Sequence, residues 1–156
     1  MRKIKFKGKR LDNGEWVTGD LAHSLDGALN ILGFGTQDSV DGFSGVYHID
    51  SETVCQFTGF LDKNGKEIYE GDVLRGKRVL LSGILEETYD AHFFIKFDKE
   101  MASFLIHDFF LSIGDFKGMV NDYGRTFTRR DMNYYEVIGS IHDKEWQEKL
   151  NLKNEL

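Results

Sequence analysis

The stretch FTGFLDKNGKEIYEGDVLRG, from Phe57 to Gly76, decides the fold. Asn64-Gly65 stands between two short apolar runs, and this dipeptide supplies the positive φ values of a type I′ or related hairpin turn. Gly71 lets the chain bend sharply before Asp72 and the apolar pair Val73-Leu74. Acidic residues crowd the stretch. Glu67 and Tyr69, however, project from one side of a strand and Ile68 from the other, so Glu67 and Glu70 face apart. No third ligand sits at a spacing that would collect them into a metal or acid–base centre. The stretch therefore reads as a closely specified structural hairpin.

The same order of residues occurs once before, at the N-terminal end of the chain. Phe6 meets Phe57, Gly8 meets Gly59, Asn13-Gly14 meets Asn64-Gly65, and Gly19-Asp20 meets Gly71-Asp72. Val17 and Leu21 fall opposite Ile68 and Val73. Two copies imply a repeated building block of strand, Asn-Gly turn, strand, Gly-Asp turn and further strand. On this reading Phe6 and Phe57 are both buried.

The rest of the chain agrees with a β protein. Its 156 residues contain 17 Gly and no Pro, so the turns fall to Gly, Asn and Asp. Val73-Leu74, Val79 to Leu81, Phe93 to Phe97, Ala102 to Ile106 and Tyr134 to Ile141 read as strands, with Asp98-Lys99-Glu100 as a connecting turn. Asp143 is placed to cap a short terminal helix carrying Trp146 and Leu150 on one face. Residues 22–45 and 114–130 are rich in Gly, Asp and Thr and read as long loops or irregular hairpins, where ligands often bind.

The lone Cys55 excludes an internal disulfide and any zinc site built on two or more cysteines. It enters a strand after Val54 and reads as a small buried hydrophobe rather than a nucleophile. His107-Asp108, His142-Asp143 and His48 near Asp50 could be gathered into a metal centre, but scattered histidines are more commonly plain polar residues. There is no G-x-S-x-G, no Walker A pattern and no G-x-G-x-x-G after a strand. Cofactors are accordingly expected to be none. The opening MRKIKFKGKR lacks the apolar run of a secretory signal, and no stretch approaches the ~20 apolar residues that span a bilayer. A cytoplasmic location without membrane contact is expected.

Net charge is −6, but the first ten residues carry six basic side chains and no acid. Lys3, Lys5, Lys7 and Lys9 alternate with Ile4, Phe6 and Gly8, the period of a strand with one basic face. That face suits phosphate contacts, which neutralise charge without reading bases. It equally suits an edge strand whose lysines discourage pairing with other chains, and no aromatic platform lies beside the lysines in sequence.

FKGKRLDNGEWVTG, HIDSETVCQFTGFLDKNGKEIYEGDVL and YYEVIGSIHD together resemble the YopX family of small phage and prophage proteins. Phe57-Thr58-Gly59 through Gly71-Asp72 carries the most specific match. Cys55 stands where Gly is more often found. The resemblance implies a mainly β fold with an SH3-like β-barrel, a phage or prophage origin and the cytoplasm of a bacterial host. It brings no established enzymatic activity. Residues 1–156 then form one YopX-like unit, with an N-terminal β part (1–54), the barrel (55–142), and a C-terminal helix and tail (143–156).

The expected function is a non-enzymatic interaction module that holds a host or phage protein through barrel loops and strand edges. The alternative is a nucleic-acid-associated accessory or regulatory protein using the basic N-terminal strand. Phe93, Phe94, Phe97, Phe104, Phe109, Phe110 and Phe116 cluster so closely that alternate members are expected to point outward. That pattern predicts a homo-oligomer, most simply a dimer, through Phe93 to Leu111. The hairpin reading itself is tested by two variants. Gly65→Val, which drives a β-branched residue towards positive φ, should cost on the order of 1–2 kcal/mol in denaturant unfolding. Glu67→Gln should leave stability and any activity nearly unchanged, and loss of activity in a folded Glu67→Gln protein would overturn the structural reading.

Overall fold

A computed structural model of the chain describes residues 3–34, 43–82, 85–109, 125–126, 128 and 133–154. It is mainly β, with two antiparallel sheets and one α-helix among the described residues. Two compact units divide the chain, Met1–Gly59 and Phe60–Leu156.

Unit 1 contains β1 (Phe6–Lys9), β2 (Trp16–His23), β3 (Leu29–Phe34), β4 (Phe43–His48), the 3₁₀ turn Ser51–Thr53 and most of β5 (Cys55–Leu61). The strands follow the order β4-β3-β2-β1-β5. Asn13-Gly14 lies at the tip joining β1 to β2, as the sequence predicts, but only Gly14 takes a positive φ (73°), so the turn is a related form and not type I′. Asn13 Oδ1 accepts from the Glu15 amide at 3.0 Å, and Arg10 N donates to Glu15 O at 2.9 Å.

Of the two readings of residues 22–45, the described part follows the irregular hairpin: β2 turns at Ser24–Gly27 directly into β3, which pairs with β4 (from Phe43) through a register shift at Gly33/Phe34. The reading of the first Gly-Asp pair needs correction, since it is no turn. Gly19 lies mid-strand, opposite Phe6 on β1 and Gly33 on β3, and a Cβ there would come within 1.9 Å of Leu32 O. Close backbone approach, not a bend, demands glycine at this position. The two copies therefore share their Asn-Gly tips and diverge after them. Phe57 is buried while Phe6 is only half-buried.

In unit 2 the end of β5 leads through Asp62–Gly65 into β6 (Glu67–Tyr69), then β7 (Asp72–Ser82), β8 (Leu85–Asp98), β9 (Ser103–Phe109), β10 (Arg125–Thr126), β11 (Glu136–Ser140) and α1 (Lys144–Asn154). The strand order is β10-β9-β8-β7-β11, an open row, and no closed barrel is found among the described strands. Most of residues 114–130 lie outside the described residues, apart from the short β10 and Thr128. The expected turn after Asp98 is present, with Asp98 Oδ1 accepting from Met101 N at 2.8 Å.

Alternation along the strands loads both faces of this sheet. Leu74, Phe93, Ile95, Phe104, Ile106 and Val137 join Ile68 and Tyr135 in one buried cluster. On the other face Val73 and Trp146 are buried together, with Phe94, Ile138 and Ile141 packed against them. Here the predicted outward aromatics are corrected. Phe94 packs with this second cluster and stacks on His107 at 5.1 Å, and Phe97 meets Phe104 edge-on at 5.3 Å. α1 supplies Trp146 as cover, so a face that the strand pattern alone leaves bare is occupied within the chain. Phe110 and Phe116 lie outside the described residues, and the side chains of Phe109 and Leu150 are likewise not described.

Trp146 reaches its seat because β11 carries glycine beneath it: a Cβ on Gly139 would lie 2.4 Å from Trp146 Nε1. Gly139→Ala should therefore lift the indole and cost about 1–3 kcal/mol, as overpacking does. Thermal unfolding reads the loss. A red shift of Trp146 emission at temperatures below the transition would tie it to this contact.

Candidate functional site

Of the residues singled out as turns, Asn64, Gly65, Gly71 and Asp72 occupy unit 2's organising centre, while Asn13 and Gly14 belong to unit 1. Asp62, which lies inside the family motif but has no role of its own legible in the sequence, is 5% exposed. Its Oδ1 accepts from Asn64 N at 2.8 Å and Lys66 N at 2.9 Å, and its Oδ2 accepts from Val137 N on β11 at 2.9 Å. Gly65 has φ 83° and Gly71 φ 73°. Gly71 N donates to Ile95 O on β8 at 2.8 Å, while Gly71 O accepts from Ile141 N at 2.8 Å. Asp72, 1% exposed, accepts from Tyr69 N at 2.8 Å. Tyr69 Oη donates to Glu67 at 2.6 Å, which confirms that these two side chains share a face. Burial, then the Glu67 bond, pushes the Tyr69 phenol above its ordinary value. Glu70 Oε1 accepts from Phe97 N on β8 at 3.2 Å. Asp62, Glu67, Glu70 and Asp72 thus each hold a backbone or side-chain group of unit 2 in place.

Histidines are not gathered. His92 rests against Trp146 at 5.3 Å, and burial, followed by Lys149 and Arg75, lowers its pKa. His107 stacks on Phe94, and His142 lies beside Gly71. Asp143 opens α1 through its carbonyl, which accepts from Trp146 N at 2.9 Å and Gln147 N at 3.0 Å, while its carboxylate turns back to Ser140 N. Among the described residues no group of three His, Cys, Asp or Glu side chains is arranged to hold a metal ion. Cys55 is buried in β5, its thiol donating to Thr53 O at 3.3 Å.

The basic strand gains a partner that its own sequence neighbourhood does not reveal. The hairpin register places Lys9 opposite Trp16 and Lys7 opposite Thr18. Lys7 Nζ lies 4.5 Å and Lys9 Nζ 5.2 Å from the Trp16 ring centroid, close enough for cation–π attraction. Lys5, Lys7, Lys9 and Trp16 are each half-buried, and Lys3 is exposed. Counting outward from Asn13-Gly14 alone would pair Lys9 with Thr18; the loop runs from Leu11 to Gly14 between Arg10 and Glu15, and that longer loop brings Trp16 opposite Lys9.

At the far side of the same hairpin, Arg10, Leu11, Asp12, Val46, Tyr47 and His48 line a surface groove of about 470 Å³. The Arg10 guanidinium lies 4.7 Å from the Tyr47 ring centroid and grips Asp12 with two bonds, of 2.9 and 2.5 Å. That fork raises Arg10 and lowers Asp12 from their ordinary pKa values. Leu11 and Val46 stand 69% and 56% exposed beside it, although both are apolar.

The family model described as YopX protein matches residues 5–145. The chain belongs to the YopX family. The match takes in both Asn-Gly tips, the Asp62–Asp72 network, the lysine strand from Lys5 onward and the groove, so these features all lie within the YopX region. Among curated proteins, none matches the chain. No helix of the described residues is long and apolar enough to cross a membrane.

One ion-pair centre gives a pH prediction. Glu136 on β11 lies 2.9 Å from both Lys63 Nζ and Arg75 Nη2, and the Lys63 bond, then the Arg75 bond, lowers its pKa from 4.5 to about 2. A lowered folded-state value means that the contribution is present above 4.5 and is lost as the pH falls towards 2. The melting temperature of the native chain should thus exceed that of Glu136→Gln at neutral pH. The gap should close through this acid window, and high salt should shrink it.

Proposed function

We propose that this YopX-family chain is a non-enzymatic interaction module, encoded by a phage or prophage and acting in the cytoplasm of a bacterial host. It binds a protein partner through unit 1, with unit 2 as the SH3-like barrel and scaffold. The observation that supports this reading is the groove. An arginine stacked on a tyrosine pairs two residue types enriched in protein-binding hot spots, and the two strongly exposed aliphatic side chains beside it offer apolar area for a partner to cover. The Arg10–Asp12 fork holds the guanidinium in place before a partner arrives, which reduces the ordering cost of binding. Self-association belongs to the same reading. With Phe93 and Phe104 buried, a symmetric contact is better served by exposed apolar residues such as Leu11 and Val46.

Capture from host lysate tests the proposal with a matched control. A chain carrying Leu11→Asp and Val46→Asp, folded by circular dichroism, should lose the proteins that the native chain retains. Light scattering of the two chains at micromolar concentration separates a partner from a second copy, since the monomer mass is 18.0 kDa. Retention of the same proteins by the substituted chain would sink the groove as the binding surface.

A further inference from the structure

We infer that the β1–β2 face carrying Lys5, Lys7, Lys9 and Trp16 is a binding site for single-stranded nucleic acid. This goes beyond the protein-binding groove and rests on different residues. Every lysine and arginine of unit 1 lies within its first ten residues, so the positive charge of that unit is confined to one strand and its entry. Successive lysines on one face of a strand are about 6.6 Å apart, a repeat that an extended polynucleotide backbone can follow. An indole stands beside this row on β2, directly opposite Lys9 and diagonal to Lys7, with both ammonium groups within 5.2 Å of the ring centroid.

Aromatic rings flanked by cations are how sequence-tolerant single-strand sites work. The bases stack on the ring while the phosphates meet the charges. In the unbound protein the lysines lie over the indole. On binding, the phosphates draw them aside and a base takes the ring face, so the same three side chains exchange one set of contacts for another. A duplex offers no unstacked base for the indole and loses that part of the interaction. The surrounding chain is acidic, and Asp20 is exposed on β2. Attraction is therefore local and should be strongly weakened by salt.

Fluorescence anisotropy of a labelled oligothymidylate of about 15 nucleotides tests the site on the full chain. Three phosphate contacts predict that affinity falls about 20-fold between roughly 50 and 200 mM salt. Lys7→Gln with Lys9→Gln should flatten this dependence to about threefold, leaving a single contact. Trp16→Phe keeps a stacking ring and should retain binding, whereas Trp16→Leu should lose it. Circular dichroism establishes that each variant is folded. Three results would overturn the inference: no binding by the native chain, binding indifferent to the lysine pair or to Trp16→Leu, or equal affinity for a duplex of the same length. It would also fall if the lysine pair controlled capture of a protein while the oligonucleotide went unbound.

Discussion

The peptide groups on either side of Gly71 hold three parts of unit 2 in register. The amide of Gly71 is committed to β8 and its carbonyl to the residue that follows β11, and the next residue starts β7 between those two strands. Such a junction needs a positive φ, which costs glycine little and a side-chain-bearing residue roughly 1 kcal/mol or more. Buried carboxylates secure both sides of it. Asp72 holds the Tyr69 amide just before the bend, and Asp62 spans from the hairpin tip to β11. A buried amide left without its acceptor costs about 1–3 kcal/mol, so these acids fix geometry at the place where three strands meet.

With that junction set, the sheet of unit 2 can be apolar on both faces. The cluster around Ile68, Leu74 and Ile95 fills one side, and Trp146 of the terminal helix closes over Val73 on the other. Unit 1 is built on different terms. Its strands approach closely enough that Gly19 has no room for a side chain, and two of its exposed side chains, Leu11 and Val46, are apolar. The features offered for recognition, the groove and the lysine–tryptophan row, both belong to this unit.

What the sequence made legible was local. Asn-Gly tips need positive φ within a few residues, and both were readable, as were the alternating strands around Phe93 and Val137 and the helix after Asp143. The misreadings arose where a distant element decides. Gly19 looked like a turn residue because its reason, the carbonyl of Leu32, lies across a strand pair. The strands within residues 22–45 stayed undecided between loop and irregular hairpin, because glycine and aspartate suit both. The aromatic run seemed too rich to bury until Trp146 arrived from the C-terminal helix. Asp62 lies within the family motif, but its role could not be read there because its partner Val137 is remote in sequence. Trp16 is the instructive case, since its neighbours in space follow from the hairpin register, and only that register brings it to Lys7 and Lys9.

The junction also limits how the chain can drift in length. Asp62 holds β11, Gly71 holds the residue just after it, and Gly71 holds β8 as well. One inserted residue between them would turn Ile68 towards the opposite face and leave one of these anchors out of reach. Joins such as Ser24–Gly27 close only on themselves and could lengthen at small cost. The interval from Asp62 to Gly71 thus behaves as a ruler inside an otherwise elastic sequence. Distant relatives should be sought by that fixed spacing before they are sought by identity elsewhere.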